Sequence, residues 1–124
     1  MPTSSWFLDR SDDTPGGQVA PSLVGEFTDK RLLRALAVRS EVITFDWENI
    51  SVESLRALGR SAKIAPPLAA LAVSQDRIAE KRLFEKLSIP TTRYAAVDSP
   101  ASLERALRDV GLPGVLKTRR LGYD

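Results

Sequence analysis

Val42-Ile43-Thr44-Phe45-Asp46-Trp47-Glu48-Asn49 is the stretch whose reading decides the fold class. Its first four residues are β-branched or aromatic and show no polar alternation. That pattern predicts a strand buried on both faces, as in a parallel sheet covered by helices. Acidic and amide groups follow at once, and open α/β sheets hold their ligands beyond the carboxyl ends of the strands. Asp46, Glu48 and Asn49 are therefore candidates for contacting ligand hydroxyls or amines, with Glu48 and Asn49 taken as substrate-binding residues. The plainer alternative is that Asp46 and Asn49 only end the strand before Ser51 opens a helix.

Toward the N-terminus, Trp6-Phe7-Leu8 is a short apolar run ending at Asp9, consistent with another strand. Arg10 to Gln18, rich in Asp, Pro and Gly, reads as a loop. Within it Gly16-Gly17 has the spacing of neither dinucleotide nor Walker phosphate loops, so it reads as a turn. No glycine fingerprint precedes Asp9, which argues against a ribose contact there. Thr28 can cap a helix whose Leu32, Leu33, Leu36 and Ala37 share one face.

Toward the C-terminus, Ser51 can cap a short helix containing Val52, Leu55 and Leu58. Ile64-Ala65-Pro66-Pro67 then breaks the pattern, and Pro67 can begin an Ala/Leu-rich helical segment. Gln75 to Leu87 forms the longest charged helix, with Ala79, Leu83, Phe84 and Leu87 in a stripe. Ile89-Pro90 ends it, because a residue preceding proline is pushed out of helical geometry. Arg93 to Val97 reads as a strand. Ser99 and Pro100 open a helix with Leu103, Ala106, Leu107 and Val110 at helical spacing. Gly111 stands where a left-handed cap belongs, Pro113 follows, and Val115 to Thr118 is the last predicted strand. This order is α/β in the first part and α+β in the second. We place the boundary at Pro66, with residues 1–66 and 67–124 as the two domains.

The chain has 124 residues, 43% of them hydrophobic and 27% charged, which suits ordered globular structure. Its net charge of +2 is unevenly spread. Residues 1–74 carry 8 Lys/Arg against 9 Asp/Glu, and residues 75–124 carry 10 against 7. A basic second part suits an anionic ligand, although a solvated helix face gives the same count. Cys and His are absent. That excludes thiolate nucleophiles, Ser-His-Asp triads and zinc sites built on those residues. No apolar run approaches the ~20 residues of a membrane span, and no signal peptide is evident, so no membrane partner and a cytoplasmic location are expected. Nucleic acid is not an expected partner, since aromatic residues are only 6% and do not interleave with basic ones.

Candidate ligand contacts concentrate in the second part. Arg77 and Lys81 lie four apart on one helix edge, as do Asp76 and Glu80. Two cations so spaced can face one phosphate, and the same pattern also arises in a salt-bridged solvent face. Lys117 lies in a short apolar strand, where an ammonium needs either the exposed end or an anion. Arg119, Arg120 and Gly122 follow, a generic arrangement for holding phosphate.

Four segments in order resemble the 5-(carboxyamino)imidazole ribonucleotide synthase family of the ATP-grasp superfamily: FLDRSDDTPGGQVA, VITFDWENISVESL, SQDRIAEKRLFEKLSIPTTRYAAVDS and GVLKTRRLGYD. The last two are the more specific. The resemblance implies an α/β fold: a truncated Rossmann-like, pre-ATP-grasp domain, then a linker helix and the start of an ATP-grasp α+β domain. It implies an ATP-dependent ligase of purine biosynthesis that joins bicarbonate to the amine of 5-aminoimidazole ribonucleotide. ATP is cleaved with Mg²⁺ to ADP and phosphate, through carboxyphosphate. Carried over by position, Arg77 and Lys117 match residues that contact ATP. Gly122, Tyr123 and Asp124 match the opening of the loop that closes over its phosphates. The family is usually dimeric.

The departures shape the expectation. The family's opening strand and glycine-rich turn have no counterpart, nor do the rest of the phosphate loop, the adenine contacts and the magnesium ligands. Asp46 stands where the family usually has Glu. The chain is thus expected to be an inner piece of a larger enzyme, inactive alone, with no catalytic residue or metal ligand of its own. Two alternatives remain: a formate-dependent transformylase of the same superfamily, and a small non-enzymatic α/β module holding an anionic partner.

Overall fold

The computed structural model describes residues 5–121, and Gly122, Tyr123 and Asp124 lie outside the described residues. The chain divides into two compact units, residues 1–72 and 73–124.

In the first unit β1 (Phe7–Asp9) pairs in parallel with β2 (Ser22–Val24), Phe7 opposite Ser22 and Asp9 opposite Val24. β2 is a strand the sequence reading missed; three residues after a proline carry too little periodicity to register. The strands are joined by the loop 10–21, folded on itself through the Gly16-Gly17 turn. A Cβ on Gly17 would sit 2.2 Å from the Asp12 carbonyl oxygen, and one on Gly16 2.8 Å from the Phe7 ring. Gly16 therefore allows close packing against β1, and Gly17 the close approach of the loop to its own backbone at Asp12.

Helix α1 (Lys30–Arg39) carries Leu33 and Leu36 into the core, as its spacing predicts. Its cap is Asp29 rather than Thr28: the Asp29 side chain accepts from the Arg31 amide at 2.8 Å. Ser51 caps α2 (Val52–Arg56) as expected, and α3 spans Leu68–Ser74. The predicted strand 42–45 contracts to one residue. Ile43 bridges Ile64 in parallel, its amide donating to the Lys63 carbonyl at 2.8 Å. Burial there alternates, with Ile43 buried and Val42 and Thr44 exposed, so the segment has one buried face instead of two. A run of four apolar or β-branched residues cannot distinguish these cases before its neighbours are known. Leu33, Leu36, Ile43, Leu55, Leu58 and Leu71 form the core, with Trp6, Leu8, Leu23 and Phe45 packed against it.

The second unit is built around α4 (Arg77–Lys86) and α5 (Pro100–Val110). Asp76 caps α4, accepting from the Ile78 and Ala79 amides at 3.0 and 3.1 Å. It therefore lies at the helix end and not, as the i, i+4 reading had it, on the face with Glu80. The helix closes at Ser88, φ 58°, with the Ile89 amide donating to the Phe84 carbonyl and the Ser88 amide to that of Glu85. That is a Schellman closure made by Ser in place of Gly, so α4 stops before Pro90 can act. Ser99 caps α5 in a capping box with Ser102, and Gly111 ends it at φ 88°. Residues 93–97 and 115–118, both predicted strands, are extended without a ladder. Their composition fits a strand, but a strand also needs a hydrogen-bonding neighbour, and these two segments do not pair with each other. No helix among the described residues is long and apolar enough to cross a membrane.

Candidate functional site

Two regions hold the predicted ligand-binding residues, one in each unit. In the first unit, Asp46 and Trp47 are exposed, Glu48 and Asn49 half-buried, in the turn that follows the Ile43 bridge. The segments leaving β1 and β2 reach the same place. Arg10, just past β1, pairs with Glu26, just past β2, at 3.1 Å, and its guanidinium lies 5.5 Å from the Phe27 ring centre. Phe27 in turn packs on Trp47 with ring centres 5.6 Å apart. The acidic turn is thus anchored at the carboxyl edge of the parallel strands by an aromatic and cationic cluster that sequence reading did not identify. Its only signal was a basic or aromatic residue within four positions of each strand or bridge end: Arg10, Phe27 and Trp47.

In the second unit Arg77 and Lys117 line one groove of ≈ 750 Å³, with Lys81, Thr92 and Asp98 also on its wall. Arg77 opens α4, and its Nε donates to the Thr118 carbonyl at 3.1 Å across 41 positions of sequence. Its amide donates to the Arg119 carbonyl at 3.1 Å. Lys117, one residue before that contact, is exposed. Lys81 Nζ donates to the hydroxyls of Thr91 and Thr92, fixing the extended segment after α4. Tyr94 donates to Glu85 at 2.9 Å; burial, reinforced by that carboxylate, pushes the phenol above its usual 10.

The sequence reading named Asp76 and Arg119 separately and missed that they pair. Arg119 Nε lies 2.9 and 2.8 Å from the two Asp76 oxygens, and Nη2 lies 2.8 Å from Oδ2. The Arg119 guanidinium, together with the capping amides of α4, lowers Asp76 from 3.8 to about 2. Arg120 Nη2 donates to Gln75 Oε1 at 2.9 Å, a second tie between the same two segments. An acid before a helix and a base in a distant terminal segment leave no local pattern, so only the fold pairs them. Gly122, Tyr123 and Asp124 lie outside the described residues and add no geometry here.

The groove's donor chemistry suits a polyphosphate, with cations from α4 and from the terminal segment on one wall. For a metal the described residues contain no group of three or more His, Cys, Asp or Glu able to hold one.

Residues 1–75 match the ribonucleotide synthetase preATP-grasp domain, and residues 82–124 match the ATP-grasp domain. A Pseudomonas aeruginosa protein named N5-carboxyaminoimidazole ribonucleotide synthase is 36% identical over 118 residues, 95% of this chain and 33% of its own. The crystal structure of N5-carboxyaminoimidazole ribonucleotide synthetase from Thermus thermophilus superposes with a TM-score of 0.89 at 43% identity, covering 95% of this chain and 33% of that one. That of N5-carboxyaminoimidazole synthase from Aspergillus clavatus, in complex with ADP and 5-aminoimidazole ribonucleotide, gives 0.79 at 25% identity, covering 94% and 33%. The chain therefore spans about a third of the length of the relatives it matches. Its fold is accordingly a pre-ATP-grasp domain followed by the start of an ATP-grasp domain. The chain belongs to the ribonucleotide synthetase preATP-grasp family, and its relatives there are N5-carboxyaminoimidazole ribonucleotide synthases.

Proposed function

We propose that this chain serves an ATP-dependent ligase that carboxylates 5-aminoimidazole ribonucleotide with bicarbonate in purine biosynthesis. The observation that carries the proposal is the meeting of Arg77, from the start of α4, and Lys117, from the terminal segment, in one groove. Arg77 and Lys117 would hold the phosphates of ATP, and Gly122, Tyr123 and Asp124 would open the loop over them. ATP supplies the phosphoryl group that activates bicarbonate, and Mg²⁺ would accompany the nucleotide, with its protein ligands outside this chain. Glu48 and Asn49 would contact the ribonucleotide from the edge of the first unit's sheet, with Arg10, Phe27 and Trp47 fixing their turn. In domain terms, residues 1–66 form the Rossmann-like part, and residues 67–124 a linker helix and the opening of the ATP-grasp fold. A cytoplasmic, dimeric parent fits this reading.

The test is a chimera in which this chain replaces the matching third of the Pseudomonas aeruginosa relative. Phosphate release that depends on both 5-aminoimidazole ribonucleotide and bicarbonate is expected, with none from the 124-residue chain alone. Lys117→Ala and Arg77→Ala in the chimera should each raise the KM for ATP by about tenfold or more, the loss of one charge-assisted contact. A folded chimera that releases no phosphate, or variants with unchanged KM for ATP, would overturn the assignment.

A further inference from the structure

Between the start of α4 and the terminal segment, four polar ties cross more than forty positions of sequence. These are Arg77 Nε to the Thr118 carbonyl, the Arg77 amide to the Arg119 carbonyl, Arg119 to Asp76, and Arg120 to Gln75. The segment they hold is otherwise poorly secured. Val115 and Leu116 are 82% and 69% exposed, and residues 115–118 belong to no β-ladder. Apolar burial therefore does not fix where Lys117 stands, and the polar ties that follow it at Thr118, Arg119 and Arg120 must.

The Asp76–Arg119 contact is the strongest of the four by chemistry. It is ionic at both ends and engages both carboxylate oxygens, a geometry more directional than a single contact. Asp76 has only 13% of its side-chain surface exposed, whereas Arg119 has 54%. The carboxylate is thus held from one side by the α4 amides and from the other by the guanidinium. It fixes the direction of Arg119 relative to the helix axis, and the main chain of residues 117–120 follows.

We propose that Asp76 and Arg119 are a positioning pair, a latch that sets Lys117 in register with Arg77 so that both address the same anion. Neither residue needs to touch that anion. The proposal rests on the ATP-site reading for the identity of the anion, but the latch itself is measurable without nucleotide.

Two readouts test it: amide hydrogen exchange at Arg77 in the 124-residue chain, and the Kd for Mg·ATP in the chimera with the Pseudomonas aeruginosa relative. Arg119→Ala removes the latch and leaves the helix cap. Asp76→Asn keeps a capping oxygen, since Asn caps as well as Asp, and removes the charge. Each is expected to speed exchange of the Arg77 amide by about tenfold or more, with the α5 amides unchanged, and to weaken Mg·ATP by about fivefold or more. The double variant should be no worse than the poorer single one, and Arg119→Lys should recover part of the affinity, a charge without the planar fork. Unchanged Arg77 protection in Arg119→Ala would overturn the latch. Lost protection with unchanged Mg·ATP affinity, or additive losses in the double variant, would overturn its positioning role. A folded chimera that binds no Mg·ATP would retire the ATP reading, while exchange alone would still decide the latch.

Discussion

The two units of this chain reach order by different means. Six apolar side chains close around one another in the first, with Leu71 1% and Leu33 and Leu55 each 3% exposed. Among the described residues of the second, Ala106 alone falls in the buried class. Its helices are instead finished by side chains at their ends, Asp76 and Ser99, and its extended segments are tied on by Lys81, Arg77 and Arg119. Burial holds many residues in place at once, whereas caps and ion pairs fix single points. The first arrangement gives a scaffold. The second gives a set of positioned cations whose packing layer is thin.

Leu71→Ala gives the largest expected effect. Deleting a fully buried leucine from a small core typically costs about 2–5 kcal/mol, enough to unfold a marginal unit. Urea unfolding followed by tryptophan fluorescence reports this unit, because both tryptophans, Trp6 and Trp47, belong to it. The matched change in the second unit, Leu107→Ala, should cost about 1 kcal/mol or less, since Leu107 is already 44% exposed. Equal costs at the two sites would erase the contrast.

Next comes Gly111→Ala. Gly111 has φ 88° and ψ 177°, a region reserved in practice for glycine, and a Cβ there would meet nothing within 4 Å. The penalty is therefore purely conformational, about 1–3 kcal/mol, and it falls on the C-terminal end of α5. Far-UV circular dichroism during thermal unfolding should show the second unit melting earlier, with tryptophan fluorescence unchanged.

Acid should separate the units further. Asp76 is lowered in the folded chain, so folding favours its ionised form. Its contribution is complete above the unfolded value near 3.8 and is lost as pH falls through the folded value of about 2. The Arg77 amide should lose protection across that window, and Asp76→Asn should remove the step. Asp29, lowered by Arg31 at the start of α1, gives the first unit a loss of the same sign. There the leucine core remains, so the unit should stay folded to lower pH.

Much of this was legible in the sequence, for local reasons. Ser51 and Ser99 cap the helices predicted for them because a cap is a contact with a residue two or three positions on. Leu33 and Leu36 are buried because helical spacing fixes a face. Residues 93–97 and 115–118 failed as strands because pairing depends on a distant neighbour that composition does not specify. At the site, Arg77 and Lys117 could be singled out individually. The Asp76–Arg119 pair that sets their relation could not, since its members stand 43 positions apart.

The smallest effect is the one that bears most directly on the comparison. The first unit has its own surface ion pair, Arg10 with Glu26, at 3.1 Å and with both side chains about 60% exposed. An exposed pair of this kind is worth about 0.2–1 kcal/mol and is screened by salt. Glu26→Gln should therefore lower stability by less than about 1 kcal/mol, an effect that 0.5 M NaCl abolishes. The Arg119–Asp76 pair has the same chemistry, but its carboxylate is mostly shielded and bound by backbone amides as well. Its salt response should be weaker, because counter-ions screen a half-buried carboxylate less well than an open one. Measuring both pairs at two salt concentrations sharpens the contrast between the units. Were Arg119→Ala and Glu26→Gln to lose their effects at the same salt concentration, the ties of the second unit would be ordinary surface pairs, and the ordering of Lys117 would need another cause.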